Sequence, residues 1–177
     1  MDFLYSVISV EVFWSILLIV HGLLSVALLG ALTHQACSLF SKNKNQTQNL
    51  LNRFGSVNSA VYTSSICLLW VLSFLFGGWI YSKYRIAIRI PMEQQGMWLT
   101  QGVFELKEHL VTIGYFLLPG YYALWKINTS QNFQTAKKFL TLTLAFICWY
   151  SFLVGHIVNN VRGFGSWIII ILRKNTI

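Results

Sequence analysis

The sequence predicts an all-α integral membrane protein: a single domain folded as a four-helix up-down bundle, with short loops and a short interfacial C-terminal segment. Of its 177 residues, 55% are hydrophobic and only 10% are charged, a balance that is rare in soluble domains. A helix needs about 20 apolar residues to cross the roughly 30 Å hydrocarbon layer, and the chain has four such runs. Because lipid cannot hydrogen-bond the backbone, each run is predicted to be helical.

The four predicted spans lie at residues 12–33, 57–80, 103–125 and 139–158. The segment before the first span lacks both the positive start and the small-residue cleavage site of a secretory signal, so the first span is expected to be retained. Between the first two spans, the polar segment Ser41–Asn49 has no apolar side chain to bury, and it predicts a solvated loop.

Two further segments carry predictions of their own. Arg85–Pro91 alternates with a period of two, which predicts an extended strap with Arg85 and Arg89 on one side, lying across the mouth of the bundle. A plain interfacial tether explains the same pattern equally well. After the fourth span, the glycines of Gly163-Phe164-Gly165 are expected to break the helix, which leaves Trp167–Leu172 in the membrane interface or on a partner subunit.

The distribution of basic residues gives an orientation. No Lys or Arg precedes the first span, whereas Lys42, Lys44 and Arg53 follow it, so the positive-inside rule places the N-terminus outside. In the loops and the C-terminal tail, six Lys or Arg residues lie on the face that this orientation makes cytoplasmic, and six lie on the external face. We therefore predict a multi-pass protein of the cell (inner) membrane. The net charge of +8 is spread over both faces, which favours anchoring to the lipid bilayer over a nucleic-acid partner.

Five ionisable residues inside the predicted spans share one face of the membrane: His21, Glu105, Glu108, His109 and His156. Such residues are costly in lipid, so each is a hypothesis for a functional site. Helical spacing places the two Glu residues and His109 on one side of the third span and points Lys107 the opposite way. His34 lies toward the opposite membrane face and is excluded from this group.

The first interpretation of this cluster is a b-type haem held by two of His21, His109 and His156. The cations expected to pair with the haem propionates are Arg85, Arg89 or Arg162. Glu105 and Glu108 are available for proton coupling. On this interpretation the protein passes electrons within a respiratory assembly, together with other membrane subunits and a redox partner.

Other interpretations remain open. Glu105 and Glu108 with the histidines could instead hold an Fe, Zn, Mn or Cu ion, although the spacing only partly matches known bundle sites. The same groups could bind a quinone headgroup or relay protons. A third interpretation is a non-catalytic structural or assembly subunit of a membrane complex, in which the polar groups only hold helices together. The three Cys residues form no Cys-x-x-Cys motif, which excludes a zinc finger.

Overall fold

The computed structural model describes residues 9–40, 59–127 and 133–174, with side chains in the last range described through Asn159. Five α-helices account for most of these residues: α1 (Val10–Ser38), α2 (Ser59–Tyr84), α3 (Ile90–Gln94), α4 (Trp98–Tyr122) and α5 (Gln134–Lys174). Arg85–Arg89 and Ala123–Ile127 form wider, π-helical turns. The described residues contain no strand, so the predicted all-α class is confirmed.

The four long helices form an antiparallel ring. The first helix packs against α2 and α5, and α4 packs against the same two neighbours. Across the first contact, the hydroxyls of Ser25 and Ser73 lie 3.3 Å apart. Across the last, Tyr150 Oη donates to the carbonyl of Val103 at 3.4 Å. A short turn at Gly96, whose φ of 71° favours glycine, separates α3 from α4. The predicted up-down bundle is confirmed.

Three helical stretches are long and apolar enough to cross a membrane: α1, residues 61–94, and residues 134–159 of α5. The fourth long helix, α4, has 25 residues but is less apolar, because Glu105, Lys107 and Glu108 fall within it. Its outward stripe is nevertheless apolar and includes Ile113 and Phe116, which are exposed. In the ring, α4 packs against α2 and α5, which both contain stretches that can span a membrane.

The predicted strap is wrong. Residues 59–94 are helical throughout, with the π-helical turn Arg85–Arg89 close to the C-terminal end of this stretch. The Pro91 ring has no N–H to donate and clashes with the carbonyl four residues earlier, and a widened turn just before it accommodates both effects. Ile86 and Ile90 are exposed on this helical stretch. Isoleucine is stable on a helix surface that faces lipid, so the alternation of isoleucine with other residues did not indicate a strand.

The predicted helix break at Gly163-Phe164-Gly165 is also wrong, because α5 continues to Lys174. Glycine costs only about 1 kcal/mol in a helix interior and, unlike proline, keeps its amide hydrogen bond. The segment Trp167–Leu172 therefore continues α5. The predicted loop Ser41–Asn49 lies outside the described residues.

The hydrophobic core lies in one half of the bundle, which we call the packed half. Every long helix contributes to it: Leu28, Leu29 and Leu32 from α1, Ile66 and Trp70 from α2, Leu118 and Tyr121 from α4, and Leu144, Ile147 and Cys148 from α5. The other half, at the level of His21, Gly77, Lys107 and Gly155, contributes no residue to this cluster. We call it the polar half.

A polar triad is buried within the packed half. Gln35 Nε2 donates to Thr63 Oγ1 at 3.2 Å, and Tyr121 Oη donates to Gln35 Oε1. All three side chains are fully buried. Hydrogen bonds between helices in lipid are worth about 0.6–2 kcal/mol each, so the triad fixes the register of α1, α2 and α4.

Replacing Tyr121 by Phe is expected to lower the free energy of unfolding by about 1–3 kcal/mol, because Gln35 Oε1 loses a donor in a buried site. Unfolding in mixed detergent micelles measures the change. Tyr122→Phe, on the exposed side of the same helix, is the matched control and is expected to have no effect. Equal losses in the two variants would show that the triad does not stabilise the bundle.

Candidate functional site

Lys107 points into the bundle. Its Nζ lies 4.6 Å from the centroid of the Phe104 ring, and a Cβ placed on Gly155 of α5 would lie 3.5 Å from Nζ. Lys107 shares its face of α4 with Gly114 and Tyr121, which are both buried. The prediction that Lys107 points away from the site is therefore wrong. Among the described residues, no carboxylate forms an ion pair with this ammonium.

His21 also faces the interior of the bundle. A Cβ placed on Gly77 of α2 would lie 3.1 Å from His21 Cε1, so the imidazole occupies the space left by this glycine. His21 Nδ1 is buried and has no hydrogen-bond partner among the described residues. Lys107 is close enough to act electrostatically on the imidazole. Two basic groups from α1 and α4 thus converge in the polar half.

A third polar group without a partner belongs to α5. Ser151 Oγ is buried and forms no hydrogen bond within the described part of the chain, and it lies one helical turn before Gly155. A buried polar group without a partner costs about 1–3 kcal/mol, and such groups normally meet a ligand or an ordered water. We call His21, Lys107 and Ser151 the inner site.

An ion-pair network closes the mouth of the polar half. Arg89 Nη2 lies 2.7 Å from Glu105 Oε1, and Arg89 Nε lies 2.7 Å from Glu93 Oε1. Gln101 Nε2 donates to the Arg89 carbonyl at 3.2 Å, and Gln101 Oε1 accepts from Tyr84 Oη at 3.0 Å. These bonds tie the π-helical turn and α3 to the start of α4.

Glu108 lies next to Lys107 on α4. It follows Lys107 directly and lies about one helical turn deeper than Glu105. Its side chain is half-buried, and it takes part in none of the ion pairs formed by the described residues. A carboxyl in this position can carry a proton between the mouth and Lys107.

The other two candidate histidines lie on the outside of the bundle. His109 is exposed and points about 160° away from Lys107 around α4, on the same side as Phe116. His156 is exposed on α5, where its ring stacks 6.4 Å from that of Phe152. The structure therefore does not bring His21, His109 and His156 together.

The predicted ligands of a haem or a metal ion are not brought together in the described part of the chain. This part contains no group of three His, Cys, Asp or Glu side chains that could hold a metal. A bis-histidine haem needs two facing imidazoles, but of the three candidates only His21 faces inward, and its ring packs on Gly77. Of the predicted propionate partners, Arg89 is paired and Arg85 is exposed. The Arg162 side chain lies outside the described part.

Sequence reasoning missed Lys107, Ser151 and the buried triad. One signal for Lys107 was present: Gly114 and Tyr121 follow it at intervals of seven residues, which places all three on one face of a helix. A small residue on a membrane helix marks close helix approach, so Gly114 identified the inward face. For Ser151 the sequence offers no comparable signal.

No protein-family model, curated protein or solved structure matches this chain. The class of protein is defined by the fold and by its surface instead. Three helical stretches can span a membrane, and large apolar side chains such as Leu23, Leu68 and Phe146 point outward. A surface of this kind is stable against lipid, and the protein is a multi-pass helical membrane protein.

Proposed function

We propose that the protein is a membrane subunit that binds the headgroup of a lipid-soluble quinone at the inner site. The observation that supports this most strongly is Lys107, which faces the bundle interior without a carboxylate partner among the described residues. Beside it, His21 Nδ1 is buried and has no hydrogen-bond partner among the residues that the structure describes. A Lys ammonium and an imidazole donate hydrogen bonds to carbonyl oxygens, which are the acceptors that a quinone presents.

The chemistry assigned to this chain is binding and proton exchange. Lys107 Nζ donates to one quinone carbonyl, and the His21 imidazole and the Ser151 hydroxyl orient the ring. A quinone takes up two protons for every two electrons, and we assign their transfer between Glu105 and Lys107 to Glu108, the neighbour of Lys107 along α4. The electrons come from a redox partner in the same membrane assembly. In the orientation that we propose, with the N-terminus outside, the inner site lies toward the outer face of the cell (inner) membrane.

A conducting pathway across the membrane is less favoured. The polar groups of the inner site and the buried triad are separated by an apolar layer: Leu28, Leu32, Ile66, Trp70 and Leu118. All five side chains are buried. A site that exchanges protons with one side only is the arrangement that a quinone-binding subunit requires.

A non-catalytic structural or assembly subunit is the second candidate. The buried triad and the Arg89–Glu105 ion pair support it, because both join different helices. Lys107 opposes it, since its ammonium joins no two helices by an ion pair within the described part of the chain. The two candidates differ in whether the bundle binds a small ligand.

The direct experiment is a calorimetric titration of the detergent-purified protein with a short-chain benzoquinone or naphthoquinone. We expect saturable binding with about one site per chain. An absorption spectrum of the same sample tests the haem interpretation, and we expect no Soret band from protein made in haem-replete cells. Failure to bind either quinone would support the structural subunit. A Soret band would instead support the interpretation that the protein binds haem.

A further inference from the structure

The outward face of α4 carries an imidazole among large apolar side chains. Five residues on this face are exposed, and no helix of the described part covers them: Leu106, His109, Ile113, Phe116 and Gly120. We call these five residues the outer stripe. A Cβ placed on Gly120 would meet no atom within 4 Å, so the stripe is open at this end for a close approach by another helix.

His109 lies at the depth of the neighbouring helices that can span a membrane. Before it on α4, Lys107 Nζ lies 3.5 Å from the Cβ that would be placed on Gly155 of α5. After it, the Tyr115 ring stacks on that of Phe74 of α2, with centroids 4.8 Å apart. At 1.5 Å per residue, His109 is about 16 Å from the nearer end of α4, which is farther than an imidazole reaches. Lipid offers this ring no hydrogen bond, so its exposure at this depth is costly unless a partner covers it.

The spacing of the outer stripe fits a helical partner. Its members follow one another at intervals of three, four, three and four residues. This is the spacing of positions a and d in a heptad, which keeps one seam of a helix against a parallel partner helix. Leu106, Ile113 and Phe116 supply large side chains for packing, and Gly120 allows the two backbones to approach closely.

We infer that the outer stripe pairs with the outer stripe of a second copy of this chain. Two copies inserted in the same direction form a pair whose twofold axis runs along the membrane normal, so their α4 helices are parallel and equal positions meet. A neutral imidazole has one donor and one acceptor nitrogen, so His109 of one copy can donate to its counterpart at the same depth. A second copy therefore supplies the polar group that lipid lacks. The inference does not depend on the quinone site.

Cysteine crosslinking of the full chain in phosphatidylcholine vesicles tests the pairing. Ile113→Cys is expected to give a disulfide-linked dimer on oxidation, because this position faces its counterpart near the twofold axis. Leu68→Cys, which is 60% exposed on α2, is the matched control. It should give no more dimer than the wild type, whose three native cysteines set the background.

Energy transfer between donor- and acceptor-labelled chains, diluted with increasing amounts of lipid, measures the strength of the pairing. His109→Leu is expected to weaken it about 3- to 30-fold, the range of a hydrogen bond between membrane helices. His109→Gln keeps a donor and an acceptor and should stay close to the wild type. His156→Leu removes another exposed imidazole, near the end of the α5 stretch that can span a membrane, and it should have no effect.

Four results would overturn the proposal. These are energy transfer in the wild type no greater than random proximity gives, equal dimer yields from Ile113→Cys and Leu68→Cys, equal weakening by His109→Leu and His156→Leu, and equal weakening by His109→Leu and His109→Gln. Crosslinking of Ile113→Cys only to a different chain in native membranes would assign the outer stripe to another subunit and would equally contradict the second copy. The crosslinking variants keep His109, so they decide the question even if His109→Leu does not fold.

Discussion

Replacing Lys107 by Met is expected to weaken quinone binding by about 10- to 100-fold, because a hydrogen bond from a charged donor is worth about 1.5–3 kcal/mol. The folded bundle should be retained or slightly stabilised, since Met fills a similar volume and removes an inward-facing charge that forms no ion pair with a described residue. The quinone titration measures the first effect, and detergent unfolding measures the second. Lower affinity without lower stability separates a binding role from a structural one.

Two control variants make this result specific. Lys83 lies at the end of α2, and its Nζ is 5.2 Å from the centroid of the Trp14 ring of α1. Lys83→Met removes this cation and should leave quinone affinity unchanged. His109→Leu removes an imidazole from the outside of α4 and should also have no effect. If His109→Leu lowered affinity as much as Lys107→Met did, the inward assignment of Lys107 would be wrong.

Adding a side chain at Gly114 is expected to destabilise the bundle, because the inward face of α4 has no room for a Cβ there. A Cβ at this position would overlap Cζ2 of Trp70 and lie 2.9 Å from Cη2. Trp70 is 2% exposed within the core, so neither ring nor helix can move freely. Overpacking costs about 1–3 kcal/mol, which exceeds the gain of up to about 1 kcal/mol when Ala replaces Gly in a helix. Gly114→Ala should therefore lower the free energy of unfolding, as measured in mixed micelles.

Gly102 provides the matched control on the same helix. A Cβ there meets no atom within 4 Å, so Gly102→Ala is expected to be neutral or mildly stabilising. Trp70→Leu in the Gly114→Ala background should recover part of the loss, because the overlapping ring is removed. Equal stability of the two Ala variants would show that α2 and α4 do not approach as closely as the structure places them.

The presence of four long helices could be predicted from the sequence, because span length and hydropathy are properties of each segment alone. The first span, predicted at residues 12–33, corresponds to α1, Val10–Ser38. The rotation of α4 could not be predicted in this way. In lipid both faces of a helix are largely apolar, so grouping Glu105 with His109 did not identify the inward face.

Contacts between helices could not be predicted from the sequence either. The buried triad joins Gln35 to Thr63 and Tyr121, which are 28 and 86 residues away along the chain. Each of these residues alone is ordinary in a membrane helix, and only the relative register of three helices brings them together. The orientation of the His21 side chain also depends on a neighbouring helix, because Gly77 of α2 leaves the space that the imidazole occupies.

The central claim is that the inner site faces the bundle interior and holds a quinone headgroup. Photolabelling with an azidoquinone, followed by residue-level mass spectrometry, tests it most directly. We predict adducts at or beside His21 and Lys107 that disappear when excess unlabelled quinone is added. Adducts confined to the outward residues His109, Phe116 or His156, or labelling that excess quinone does not reduce, would contradict it.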